Sequence, residues 1–442
     1  MTKTIEPMTS GCIWKRMIFF ALPILLGNLF QQMYNTVDSL IVGNFLGSNA
    51  LAAVSSSGSL IFMLIGFLTG ISTGAGVVIA RFFGAQDHEN LERAVHTTVA
   101  FGILAGLAMT GAGVLLSPQI LTWMGTPDNV MPNSITYLQI YFSGSLGFVL
   151  YNIFVGILQA VGDSRHPLYY LMASSVINLV LDLLFIGVFH TGVGGAALAT
   201  VISQVFSAFL CLLQLVRSKE SYRLQIKKIR IHGSILRQIV GIGLPAGIQN
   251  AIIAFANVIV QSNINTFGEM AMAGCGAYTK VEGFGFLPIN SFALAITTFV
   301  GQNLGASQKE RARQGAKFGV LVTVVLAECI GLVVFLLAPF LIAAFDPTPE
   351  VVQFGVARAR TSALFYFLLA YSHGISAVLR GAGKATVPMG IMVLFWCVIR
   401  VAFLTIAVPA TQSIQMVYLA YPLTWVMSSL AFFFYYKKVD WL

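Results

Sequence analysis

The chain has 442 residues, of which 57% are hydrophobic and only 9% charged; ordinary soluble domains carry about 25% charged residues. That balance excludes a soluble globular fold and intrinsic disorder alike, and long unbroken apolar runs exclude an outer-membrane barrel, whose strands alternate polar and apolar residues. The formal net charge of +9 does not point to nucleic acid, because the basic residues lie in short loops without interleaved aromatics.

A helix needs about 20 apolar residues to cross the hydrocarbon core of a bilayer. Twelve stretches qualify: 17–43, 51–79, 94–117, 133–158, 167–189, 193–216, 238–264, 274–300, 316–344, 353–378, 386–409 and 414–436. The expected fold is an all-α polytopic membrane protein of twelve transmembrane helices. No small-residue cleavage pattern follows the first run, so no cleavable signal is expected. Cys12, Cys211, Cys275, Cys329 and Cys397 are scattered without CxxC spacing and read as small buried hydrophobes, not as disulfide partners or metal ligands.

Placing the N-terminus inside leaves Arg358 and Arg360 as the only basic residues on outer segments. Lys280 and Arg400 fall within spans, and the other 21 of the 25 Lys and Arg, Lys3 included, lie inside. By the positive-inside rule both termini are cytoplasmic, and the expected location is the cell inner (plasma) membrane. Segment 217–237 carries seven basic residues and a single acid, Glu220. It reads as a linker between an N-lobe of six spans, 1–216, and a C-lobe of six spans, 238–442.

The two halves repeat each other. Leu22-Pro23 returns as Leu244-Pro245, Asn28 and Asn35 as Asn250 and Asn257, Gly84-Ala85 and Glu89 as Gly305-Ala306 and Glu310. Leu158, Gly162 and Pro167 return as Leu379, Gly383 and Pro388, always at an offset of 221 or 222. Six spans per half is an even number, so the halves insert the same way up. Parallel repeats of this kind belong to alternating-access carriers with a substrate path between their lobes.

Ionisable residues inside membrane spans cost about 2.5–3.5 kcal/mol on insertion scales and are functional candidates by default. Here the acids are Asp38, Asp182, Glu282 and Glu328, and the bases Lys280 and Arg400. At ~1.5 Å per residue, Asp38, Asp182 and Thr200 all fall roughly 8–11 Å below the outer boundary and can meet. Asn35 shares a helix face with Asp38, and Asn178 shares one with Asp182. Two carboxylates among amides and hydroxyls can hold one shared proton, and the same oxygens suit sodium. Val260 and Leu404 occupy the matching positions of the second half: glue needed by the fold would appear in both halves, whereas chemistry need appear only once. In the second half Arg400 takes the place of Asn178. Lys280, Glu282 and Glu328 accompany it, either as a buried ion-pair network or as charges facing a substrate.

Leu22-Pro23 through Gln31, Tyr34-Asn35, Val37-Asp38, Val42-Gly43 and Gly47 resemble the first helix of the MATE (multidrug and toxic compound extrusion) transporters. Phe299-x-Gly301-Gln302-Asn303-x-Gly305-Ala306, Leu379-Arg380-Gly381-x-Gly383 and Leu158-Gln159-x-x-Gly162-Asp163 resemble that family's loop motifs, and the resemblance spans the whole chain. It implies two six-helix lobes in a V and antiport of protons or sodium against organic, cationic amphipathic compounds. Within the family the DinF-like branch is the better match, with Asp38, Asn178 and Asp182 at its helix-1 and helix-5 positions. Further partners match Asn152 and Thr200, a helix-4 tyrosine matches Tyr137, and the helix-1 proline that bends matches Pro23. The cavity residues expected from motifs and charges together are Gln31, Tyr34, Asn35, Tyr137, Arg400, Lys280 and Glu282. The NorM-like branch places acids on helices 7 and 10, where this chain has Gln249, Asn250 and His373. His373 reads as a satisfied polar residue.

The resemblance implies no cofactor beyond the coupling ion H+ or Na+, small-molecule organic cations as partners, and a monomer in the lipid bilayer. A lipid-linked oligosaccharide flippase of the same superfamily is the alternative, kept open by Arg400 and Lys280. An enzyme is not expected: Gly192-Val-Gly194-Gly195-Ala-Ala197 fits a dinucleotide pattern but lies in an outer loop, Gly381-Ala-Gly383-Lys384 lacks the rest of a P-loop, and no HExxH or GxSxG occurs. A channel is disfavoured by the absence of a symmetric ring.

Overall fold

The computed structural model describes residues 7–46 and 48–442, with backbone alone at 39, 40, 43, 44, 48, 49, 51–53, 55–60, 62 and 63. Lys3 and Gly47 therefore lie outside the described residues, and Gly43 is described by its backbone only. The elements are α1 Ile13–Leu46, α2 Ser48–Gly84, α3 His88–Trp123, α4 Met131–Ser143, α5 Ser145–Ala160, α6 Arg165–Asp182, α7 Val193–Arg217 and α8 Gly233–Asn265. They continue with α9 Glu269–Gly305, α10 Lys309–Ala343, α11 Pro349–Ser362, α12 Tyr366–Gly381, α13 Thr386–Met392, α14 Arg400–Thr411 and α15 Ile414–Lys438. Among the described residues eleven helical stretches are long and apolar enough to cross a membrane, and α4 with α5, bent by 50°, supplies a twelfth.

The bend falls at a close contact with another helix. Gly144 separates α4 from α5, and a Cβ there would sit 2.4 Å from Val201 Cγ1. Only glycine lets α7 approach this closely. Two other spans carry π-type turns: Leu183–Val188 directly after Asp182, and Val393–Ile399 directly before Arg400. Such turns widen a helix and recur at functional sites.

The repeat is written in the backbone as well. Among the described residues, the four non-glycine residues with left-handed φ pair at an offset of 221 or 222, Gln86 (55°) with Ser307 (58°) and His190 (53°) with Gln412 (49°); Gly162 and Gly383 are also left-handed. Each pair ends equivalent helices in the two halves.

The chain forms two compact units, one built on Leu22–Gly243 and the other on Met8–Ala21 with Leu244–Leu442. Helices α1 and α8 thus contribute their ends to different units, and the changeover falls beside Pro23 in α1 and Pro245 in α8. In the second unit the Met8 amide donates to Gln302 Oε1 at 2.8 Å, and Arg311 donates to the carbonyls of Met8 and Ser10, each at 3.1 Å. In the first, the basic 217–237 segment is strapped to α3. Lys228 pairs with Glu92 at 2.7 Å, the Gln225 amide donates to His96 Nε2 at 3.0 Å, and the His232 amide donates to Thr97 Oγ1 at 3.1 Å.

Candidate functional site

In the first unit, α1 presents Gln31, Tyr34, Asn35 and Asp38, and α6 ends on Asn178 and Asp182. The carboxyl groups of Asp38 and Asp182 face each other. Asp182 is fully buried, Asn178 nearly so, and Asp38 half-buried with its Oδ1 enclosed. Around the pair, Tyr34 meets Gln204 of α7, and Tyr137, stacked on Tyr141 at 6.3 Å, lies within electrostatic reach of both carboxyls.

The polar atoms of this cluster are short of partners. Asp38 Oδ1, both Asp182 oxygens, Asn178 Nδ2, Gln204 Oε1 and Ser207 Oγ are buried without a hydrogen bond. Buried polar groups are otherwise almost always paired. Among the described residues, no basic side chain lies against either carboxyl. A set of carboxylate and amide oxygens is suited to taking up a proton or a hard cation. The matching positions of the second unit, Val260 and Leu404, share one apolar cluster and are 1% and 0% exposed.

Thr200 is buried on α7 and spends its hydroxyl on the Ala196 carbonyl at 3.1 Å. Asn152 donates from its side-chain Nδ2 to Phe148 O at 2.9 Å, and its backbone carbonyl accepts from Ser72 Oγ at 3.0 Å. Gln204, Ser207 and Tyr141 escaped the reading of the sequence. Thr200, Gln204 and Ser207 fall at i, i+4 and i+7, a polar stripe along an apolar helix that could have revealed them.

The second unit holds a different constellation. Arg400 is buried, and its Nη2 and Nε donate to Thr424 Oγ1 at 2.9 and 3.2 Å. Arg358 corrects the sequence reading: it is not on an outer segment but buried within α11. There Nη1 donates to Cys275 O at 3.3 Å and Thr279 Oγ1 at 3.4 Å, and Nη2 to Tyr421 Oη at 3.3 Å. Glu282 accepts from Tyr278 Oη at 3.1 Å. Lys280 stands outside this group, exposed, with Nζ 5.6 Å from the Phe345 ring centre. Glu328 accepts from the Phe367 amide at 3.1 Å, where α11 breaks into α12. His373 is not the satisfied polar residue expected: its Nε2 is buried without a partner, and its ring packs edge-on against Trp396 at 5.3 Å.

A sequence profile described as MatE matches residues 23–184 and again 245–406. The chain belongs to the MatE family. The two matches begin on Pro23 and Pro245, so the family unit is the repeat itself. The chain is 30% identical over 438 residues to the probable multidrug resistance protein YoeA of Bacillus subtilis (strain 168), covering 97% of this chain and 94% of that one. Among solved structures it resembles a MOP superfamily transporter from Pyrococcus furiosus Vc1 (DSM3638), with a TM-score of 0.92 at 23% identity over 99% of this chain and 97% of that one. It also resembles a multidrug resistance MATE family transporter in an outward-facing conformation, with a TM-score of 0.91 at 22% identity over 99% and 97%. At such identities the structural likeness speaks for the fold alone. As a MatE protein the chain is a multi-pass membrane transporter and not an enzyme.

Proposed function

We propose that this MatE transporter exports amphipathic organic cations, driven by entry of protons or sodium at Asp38 and Asp182. The observation that carries the reading is the facing pair of carboxyls, enclosed, without a basic neighbour and replaced by hydrocarbon in the other half. A cationic substrate and the coupling ion compete for the same negative charge. Protonation, or sodium binding, discharges the pair, so the organic cation loses its electrostatic partner and leaves.

Asn178 supports the pair from the turn before Asp182, and Thr200 and Asn152 are the further coupling residues carried over from the DinF-like branch. Gln31, Tyr34, Asn35 and Tyr137 are the cavity residues beside it, with Arg400, Lys280 and Glu282 as their counterparts in the C-lobe, 238–442. Pro23 withholds one backbone hydrogen bond from α1, which makes it the point where the helix bends when the pair changes charge. The 21 basic residues assigned to one side favour cytoplasmic termini and an inner-membrane location. The flippase reading gains no support from YoeA, whose name speaks of drug resistance.

The test is flux in proteoliposomes loaded with a fluorescent organic cation. Under an imposed pH or sodium gradient, wild type should give saturable efflux with one of the two ions, and Asp38→Asn should give none. Efflux that persists in Asp38→Asn with unchanged ion dependence would place coupling elsewhere.

A further inference from the structure

The second unit buries more positive charge than it neutralises. Arg358 and Arg400 are each 3% exposed, and all their hydrogen bonds go to neutral oxygens. Arg358 Nε has no partner at all. Glu282 is the acid nearby, yet no ion pair joins it to either arginine, and its carboxyl takes the Tyr278 hydroxyl instead. Two cations against one anion leave an excess of one positive charge. Aromatic faces soften this: the Tyr421 ring centre lies 5.2 Å from the Arg358 guanidinium and 4.4 Å from that of Arg400. Such contacts are weaker than a carboxylate in the same place. An uncompensated buried charge is costly, and an anion that binds here would remove that cost.

The cluster reaches the protein surface. Thr279, bonded to Arg358, is exposed, and Glu282 and Tyr421 are half-buried. The two guanidiniums share the Tyr421 ring, so they form one site. A guanidinium presents paired donors that match the two oxygens of a carboxylate.

We propose that Arg358 and Arg400 form a subsite for a carboxylate, so that the preferred substrates are amphipathic zwitterions bearing a carboxylate as well as a cation. The inference rests on the export reading above and narrows its substrate class. Arg358 acts here as a specificity residue, and the single excess charge matches a monoanion.

The test uses a matched pair of dyes, rhodamine B, a zwitterion, and its ethyl ester, which keeps the cation and loses the carboxylate. Binding to the purified full chain is measured by fluorescence anisotropy, and efflux in proteoliposomes. Wild type should bind rhodamine B about tenfold or more tightly than the ester. Arg358→Gln should bring the two dyes to parity by weakening rhodamine B alone. Should that variant fail to fold, Arg400→Lys, which keeps the charge but loses the fork, should narrow the same preference. Equal binding of the two dyes by wild type, or a preference that survives in the folded variants, would overturn the subsite while leaving cation export intact. Export of neither dye nor of any other organic cation would overturn the export reading itself and this inference with it.

Discussion

Asp38 of α1 and Asp182 at the end of α6 face each other in the first unit, and the residues at the same places in the second, Val260 and Leu404, share an apolar cluster. One backbone scaffold therefore tolerates either two acids or two hydrocarbons at this contact. Buried ionisable pairs replaced by well-packed apolar residues are often neutral or more stable by about 1–4 kcal/mol. The double replacement Asp38→Val with Asp182→Leu should accordingly raise the thermal unfolding midpoint in detergent while abolishing transport. A lower midpoint would mean that the acids serve the fold.

Close helix contacts set a second expectation. A Cβ on Gly74 would lie 2.4 Å from Gly243 N and 2.6 Å from Ile239 O, both backbone atoms that cannot step aside. Gly74→Ala should destabilise the first unit by about 1–3 kcal/mol. Gly241, also in α8, has open space where its Cβ would be, so Gly241→Ala should be neutral or gain about 0.5–1 kcal/mol of helix stability. Thermal unfolding of the two variants side by side checks the contrast; equal effects would contradict it.

Thr424 tests the buried arginine. Its hydroxyl is the acceptor for both Nε and Nη2 of Arg400 and is fully buried. Thr424→Val keeps the shape and strands both donors, at a cost of about 1–3 kcal/mol. An unchanged melting profile would show that Arg400 finds other partners.

The strap on α3 predicts a pH effect. His232 Nε2 accepts from Arg230 Nε at 3.0 Å, which requires the neutral ring. Partial burial first, then the positive charges of Arg230 and Arg93, hold its pKa below the ordinary histidine value. A base held low in the folded state contributes stability that is present above about pH 6.5 and lost as pH falls through that value toward the folded one. Amide hydrogen exchange across 222–232 should therefore speed up between pH 7.5 and 5.5 relative to the intrinsic rate, and His232→Gln should flatten the change. Protection that does not move with pH would remove His232 from the strap.

Much of the fold could be read in advance, because hydropathy and the repeat offset of 221 or 222 residues are one-dimensional signals. The bend at Gly144 could not, since the close approach of Val201 there comes from another helix. The π turns beside Asp182 and Arg400 likewise leave no periodicity to read. At the site, Asp38 and Asp182 stood out because carboxylates in apolar spans are rare. Arg358 was counted with the outer segments although the span 353–378 already contains it. Yet Val351, Gly355, Arg358 and Ser362 share the buried stripe of α11, at a helical spacing that was available in the sequence. Arg360 lies instead over Phe335 at 5.7 Å.

The most direct test of the Asp38–Asp182 pair is a double-mutant cycle read as substrate-induced ion release. Release of protons, or of sodium, on addition of an organic cation is measured in wild type, Asp38→Asn, Asp182→Asn and the double variant, each checked for folding. Two carboxyls acting as one unit should lose release almost completely in either single variant, with no further loss in the double. Partial losses in the two single variants that add up independently in the double would contradict the shared site.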